Sequence, residues 1–219
     1  VYLNGTLCDA VGSRIGIRSI EFRGADGLYI NGKPFGDKLM GVNRHQDYAY
    51  IGNAVPNNLH WLDVKKMRDA GFRIIRSAHY PQDPAFMDAC DELGMFIIVA
   101  TPGWQYWNPE PVFEERILSD IRNMVRRDRN HPSVLLWEPV LNETAFPESF
   151  AQNAYRATHE EYPAPGCYAA IDDKSKGAMG YDVVYTAPKN EAFYRNAGKS
   201  CFTREYGDCV DDWNSHNSY

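Results

Sequence analysis

The sequence predicts an α/β protein, a (β/α)8 barrel truncated after its seventh strand. Three observations predict it: seven short apolar runs, longer amphipathic stretches between them, and polar residues closing several of the runs. The runs are LMGVNRH (39–45), FRIIRSAH (72–79), MFIIVAT (95–101), VLLWE (134–138), CYAAID (167–172), DVVYTA (182–187) and SCFTREY (200–206). Runs so short and so continuously apolar suit parallel strands buried on both faces. The stretches at 57–71, 83–94, 113–130 and 147–162 read as helices; in the first, Leu59, Leu62, Val64 and Met67 recur near helical spacing and Gly71 supplies a stop. Only thirteen residues follow the seventh run, so an eighth strand is expected to be missing. Residues 1–35 have a different rhythm, rich in strand formers with Asn-Gly at 4–5 and 31–32, and read as β-hairpin material with a boundary near residue 36.

Composition narrows the function classes. Acidic residues exceed basic ones by 29 to 23, giving a formal charge of −6 and no broad cationic surface for phosphate backbones, which excludes nucleic acid as a partner. No run approaches the roughly 18 apolar residues of a membrane span. The basic stretch 122–129 lies in a helical pattern and reads as a solvated face. The five cysteines are scattered, without a CxxC pair, and suggest core residues rather than a zinc site or disulfide framework. No leader-like segment opens the chain; a periplasmic or secreted location is left open, as is a homo-oligomer formed through domains outside this chain.

In a parallel barrel the chemistry sits where strands end, so the polar residues after each run are the informative ones. The first run ends in Asn43-Arg44-His45, the second leads through Arg76 to His79 and Tyr80, the fourth leads into Asn142-Glu143, and the seventh ends in Arg204-Glu205-Tyr206. Glu143 and Glu205 make a carboxylate pair across one mouth, the minimum equipment for glycoside hydrolysis. A cation such as Arg76 would steady a nucleophilic carboxylate, whereas a proton-donating partner needs a raised pKa.

The segments GIRSIEF (16–22), LYINGKPF (28–35), GVNRH (41–45), RSAHYP (76–81), DELGMFII (91–98), RDRNHPSVLLW (127–137), NE (142–143) and REYG (204–207) together resemble glycoside hydrolase family 2, the group of β-galactosidases, β-glucuronidases and β-mannosidases. The resemblance implies that residues 1–22 end an immunoglobulin-like sandwich, that 23–35 form a hairpin leading into the barrel, and that 36–219 are an incomplete catalytic barrel. It implies retaining, exo-acting hydrolysis of β-linked sugars, with Glu143 as acid/base, Glu205 as nucleophile, no cofactor, and the carboxyl groups about 5–5.5 Å apart. By the same resemblance His45, His79 and Asn142 hold sugar hydroxyls and Arg76 steadies Glu205, with Arg44 and Tyr206 as supporting candidates.

Some segments depart from the family pattern. One residue is added between Trp137 and Asn142, which makes Glu138 a rival acid, although Asn142 directly before Glu143 favours the latter. After the third run, TPGWQYWNPE replaces an acid and a histidine that hold magnesium in galactosidase-like members, so no metal is expected; Trp104 and Trp107 become candidates for an acceptor subsite. Family members often place a tyrosine near the nucleophile after the sixth run; alignment of DVVYTAPKN puts Pro188 there with Tyr185 earlier, so that assignment stays open, and Tyr185 is a candidate for contact with substrate. A β-galactoside is the expected substrate. A glucuronide, a mannoside, endo-action on a β-glycan and a non-catalytic carbohydrate-binding barrel are the alternatives.

Overall fold

The computed structural model describes residues 1–12 and 14–205. All seven apolar runs form parallel strands: β6 (Gly41–Arg44), β7 (Ile74–Ser77), β8 (Phe96–Ala100), β9 (Val134–Glu138), β10 (Ala170–Asp172), β11 (Val183–Tyr185) and β12 (Ser200–Phe202). They follow β1 (Tyr2–Leu3), β2 (Thr6–Leu7), β3 (Ile20–Phe22), β4 (Leu28–Ile30) and β5 (Lys33–Pro34). Strands β6 to β9 lie side by side in chain order, as do β10 to β12. A parallel bridge between Trp137 and Ala169, with Trp137 N–H donating to the Tyr168 carbonyl at 2.9 Å, joins the two groups into one curved wall.

Helices α1 (Asn57–Asp69), α2 (Pro84–Leu93), α3 (Pro111–Asp128) and α4 (Glu148–Glu161) cover the outside, and a short α5 (Glu191–Asn196) precedes β12. Their ends follow local chemistry. Asp83 caps α2 by accepting from Ala85 N–H at 2.8 Å, Pro84 opens it, and Gly94 closes it at φ +69°. Arg122 and Arg126 in the basic stretch pair with Glu160 and Glu161, tying α3 to α4 through exposed contacts of small energetic weight. Among the described residues no helix is long and apolar enough to cross a membrane. Cys90 and Cys167 are buried, Cys201 is half-buried and Cys8 exposed, all with free thiols; Cys209 lies outside the described residues.

Alternation along the strands sorts the core into two layers. Ile75, Ile97, Val99 and Trp137 face outward into a cluster with Phe86, Met87 and Met124 from the helices. Ile74, Ile98, Leu136, Ala170 and Val183 face inward and fill the barrel. Burying each of the Ile, Leu and Val side chains among them contributes roughly 1.5–3 kcal/mol.

Both Asn-Gly pairs make tight hairpins. Asn4 and Gly5 stand at φ +49° and +82° between β1 and β2, and Asn31 and Gly32 at +52° and +72° between β4 and β5, the positive pair that a type I′ turn requires. Strand β3 pairs antiparallel with β4, so the expected seam at residue 22 runs through a three-stranded sheet, because the turn at 24–27 folds β3 back onto β4. Ile20 from this sheet is buried against the inward-facing barrel layer. Arg18 just before it donates to the Pro132 and Val134 carbonyls at 2.7 and 2.6 Å, at the base of β9.

Candidate active site

The inward alternation that fills the barrel with aliphatic groups continues upward into polar ones. Two residues beyond Ile74 stands Arg76; beyond Leu136, Glu138; beyond Ala170, Asp172; beyond Val183, Tyr185. Asn43 pairs in register with Arg76, and Arg204 follows β12. A cavity of about 790 Å³, a size suited to a small ligand, opens above them, lined among others by Glu138, Asn142, Glu143, Asp172, Tyr185 and Arg204.

Glu205 receives three hydrogen bonds on one oxygen. Asn43 Nδ2 donates to Oε1 at 3.2 Å, Arg76 Nη1 at 2.9 Å and Arg204 Nη1 at 3.0 Å. These donors orient the carboxylate and leave Oε2 outside this set. Arg76 thus lies beside Glu205.

Glu138 has a different environment. Arg76 grips it with Nε and Nη2 at 2.7 and 2.5 Å, and the Tyr185 hydroxyl donates at 3.2 Å, with both carboxylate and guanidinium 3% exposed. Complete burial opposes its charge, but the Arg76 cation outweighs this and holds the carboxyl below its ordinary value. The rival acid is thus a buried ion-pair partner. Tyr185, expected to touch substrate, is itself buried at 2% exposure, with its hydroxyl committed to Glu138 rather than to Glu205.

Glu143 projects from the loop after β9, 40% exposed, with a left-handed backbone at φ +48°. The segment after β8 runs beside it through a bridge from Trp104 to Asn142, which brings the Trp104 indole N–H and the Gln105 amide to Glu143 Oε2 at 3.0 and 2.8 Å. The Trp104 hydrogen bond is the largest influence on its acidity; partial burial opposes it, and Gln105 and Arg204 reinforce it. The carboxyl is held below its ordinary value, opposite to the raised pKa expected of a proton donor, because these donors outweigh desolvation.

Asn142 links the two halves. Its Oδ1 accepts from Arg76 at 3.0 Å and Arg204 at 2.7 Å, which fixes the amide so that Nδ2 points to His79 Nε2 at 3.3 Å. His79 Nε2 is thereby the acceptor and Nδ1 carries the proton. Burial, aided by Arg76, pushes the His79 pKa down to about 4, so the ring is neutral at pH 7. His45 is exposed, with its ring 5.8 Å from that of His79.

Two further expectations change. Trp107 packs at 5.4 Å on Phe113 and 4.8 Å on Phe150, inside the cluster between α3 and α4, and offers no open platform, whereas Trp104 is 57% exposed. Arg44 is buried among Asp63, Gln82, His60 and the Phe86 ring, because residues alternate along β6 and Asn43 takes the inward position. Tyr206 lies outside the described residues. Among those residues one group could hold a cation, Asp88, Asp91 and His131, but Asp91 already takes the His131 ring at 2.6 Å and Ser133 N–H at 3.0 Å. It fastens the turn before β9 to α2, away from the mouth.

The profile of the TIM barrel domain of glycosyl hydrolases family 2 matches residues 20–164. The chain belongs to glycoside hydrolase family 2. It is 37% identical over 71% of its length to a β-galactosidase of Thermoanaerobacterium thermosulfurigenes, covering 21% of that relative. It is also 34% identical over 61% of its length to a putative β-glucuronidase of Formosa agariphila, covering 16% of it. The crystal structure of Parabacteroides merdae β-glucuronidase superposes with a TM-score of 0.74 over 86% of this chain and 26% of that one, at 23% identity, which supports the fold alone. The chain spans about a fifth of the length of such curated β-galactosidase relatives.

Within this family-2 barrel, the strand-end rule singles out the residues around Glu205 but assigns no role to Arg204 or Asp172. Arg204 donates to Asp172 Oδ2 from Nε at 3.1 Å and Nη2 at 2.7 Å, to Asn142 and Glu205 from Nη1, and lies 3.9 Å from Glu143. The signal was present, since Asp172 closes the fifth run and Arg204 directly precedes Glu205.

Proposed function

We propose that the full-length protein carrying this chain is a retaining exo-β-glycosidase, with terminal β-galactosides as its favoured substrates. The observation that carries this is the hold on Glu205: three donors on Oε1 orient Oε2 for attack, and Glu143 stands across the Arg204 guanidinium from it. In the first step Glu205 forms an ester with the anomeric carbon while Glu143 gives its proton to the departing glycosidic oxygen. In the second, Glu143 takes a proton from water, which attacks the same carbon and returns Glu205 to the carboxylate. Asn142, fixed by two arginines, and His45, exposed at the mouth, are the groups that would hold sugar hydroxyls, while His79 meets Asn142 through Nε2 and keeps Nδ1 buried.

The test is Glu205→Ala in the full-length protein, assayed on a panel of 4-nitrophenyl β-glycosides. Turnover is expected to fall by about 10³-fold or more, with azide restoring part of it as the glycosyl azide. Unchanged turnover would exclude Glu205 as the nucleophile. The relative named as a putative β-glucuronidase supports a second reading, a glucuronide substrate, which preferential turnover of the glucuronide in the same panel would establish.

A further inference from the structure

The structure points to a role for a pair outside the acid/base and nucleophile. We infer that Asp172 and Arg204 form an anchored positioning pair: Arg204 fixes Glu205 and Asn142, while Asp172 holds the guanidinium back from Glu143. This rests on the two-carboxylate reading above and adds the residues that fix one carboxylate and set the distance of the cation from the other.

Geometry supplies the case. Arg204 is 13% exposed and uses its fork in two directions. The Nε and Nη2 edge is bound to Asp172 Oδ2, the last residue of β10, whose Oδ1 accepts from Lys174 N–H at 3.4 Å. The remaining Nη1 reaches Asn142 Oδ1 at 2.7 Å and Glu205 Oε1 at 3.0 Å. Glu143 Oε1 lies 3.9 Å from Nη2, beyond a hydrogen bond. Arg76 shares both contacts, donating to Glu205 Oε1 from Nη1 at 2.9 Å and to Asn142 Oδ1 from Nη2 at 3.0 Å, but its Nε and Nη2 also hold Glu138 and it does not reach Asp172.

Charge balance gives the pair a directional consequence. Glu143 is faced by Arg204 and His79 as charged or titratable groups and by Trp104 and Gln105 as neutral donors, while Lys174 and Lys176 line the cavity wall. Without Asp172, the Arg204 cation would have Glu205 and Glu143 as its anionic neighbours, and Coulombic attraction would strengthen its hold on an ionised Glu143. Without Arg204, Glu143 would lose a cation that disfavours its protonated form. Removing the two members should therefore move the acidity of Glu143 in opposite directions, whereas two structural residues would produce no such opposition.

The experiment is the pH profile of kcat/KM for full-length wild type, R204Q, R204K and D172N on 4-nitrophenyl β-D-galactoside, or on whichever glycoside of the panel is turned over best. R204Q should lower kcat/KM about tenfold or more through lost charge-assisted hydrogen bonds and move the basic limb to higher pH. D172N should also lower kcat/KM but move the basic limb to lower pH. R204K, which keeps the charge and loses the fork, should lower kcat/KM with its basic limb near that of wild type. Basic limbs of R204Q and D172N that move together or stay at the wild-type pH, in variants with wild-type melting curves, would overturn the pair's role. Normal turnover by the Glu205→Ala variant would instead overturn the underlying carboxylate assignment.

Discussion

The end of strand β9 and the loop that follows it each present a glutamate to the same cavity, and the two are opposites. Glu138 is strand-held, buried and gripped by a cation; Glu143 is loop-held, 40% exposed, and bonded mainly by neutral donors. Four residues of chain separate a carboxylate locked in a buried ion pair from the one proposed above as acid/base. Position in the barrel, rather than residue type, assigns the work.

The sharpest way to break this contrast is Arg76→Met. It leaves Glu138 buried without its counter-charge, and the full-length protein should lose about 3–5 kcal/mol of stability, read as a fall in the denaturant midpoint. A loss below about 1 kcal/mol would show that Glu138 does not depend on the pair. Next in size comes a comparison of conservative substitutions. Glu138→Gln should cost about 1.5–3 kcal/mol through weakened charged hydrogen bonds, while Glu143→Gln should change stability by about 0.5 kcal/mol or less. Turnover of substrates with poor leaving groups should in turn fall by about 10²–10⁴-fold in Glu143→Gln. An exchange of these phenotypes would reverse the two assignments.

The smallest expected effect is the most specific. Trp104→Phe removes the hydrogen bond that most depresses the Glu143 pKa, so the protonated acid should persist to higher pH. The basic limb of kcat/KM should therefore move upward, with little change in melting temperature. A limb that stays in place or moves downward would show that Trp104 does not set this acidity.

Much of this architecture was legible in the chain. Seven parallel strands announce themselves as short apolar runs, and Asn4-Gly5 and Asn31-Gly32 announce their turns because few other residues accept two successive positive φ angles. The helix α5 was not legible, since EAFYRN is too short for a periodic signal. At the site, strand endings located Glu205, Arg76, Asn142 and Glu143, but they could not say where each side chain points. Arg44 and Asn43 are neighbours, and alternation sends one among Asp63 and Phe86 and the other to Glu205. Trp107 went into the helix cluster and Tyr185 to Glu138 for the same reason: tertiary packing, not composition, chooses the face. The partnership of Asp172 with Arg204 joins residues 32 positions apart, and the parallel alignment of β10, β11 and β12 brings them together.

The left-handed backbone at Glu143 bears on how such a chain evolves. A side chain with a Cβ at φ +48° costs about 1–2 kcal/mol relative to glycine, and asparagine is also more at ease there. A lineage drifting under pressure for stability alone would tend to shed this glutamate. Its presence is a standing load on the fold, and relaxation of selection on the carboxylate would be visible first as glycine or asparagine at position 143.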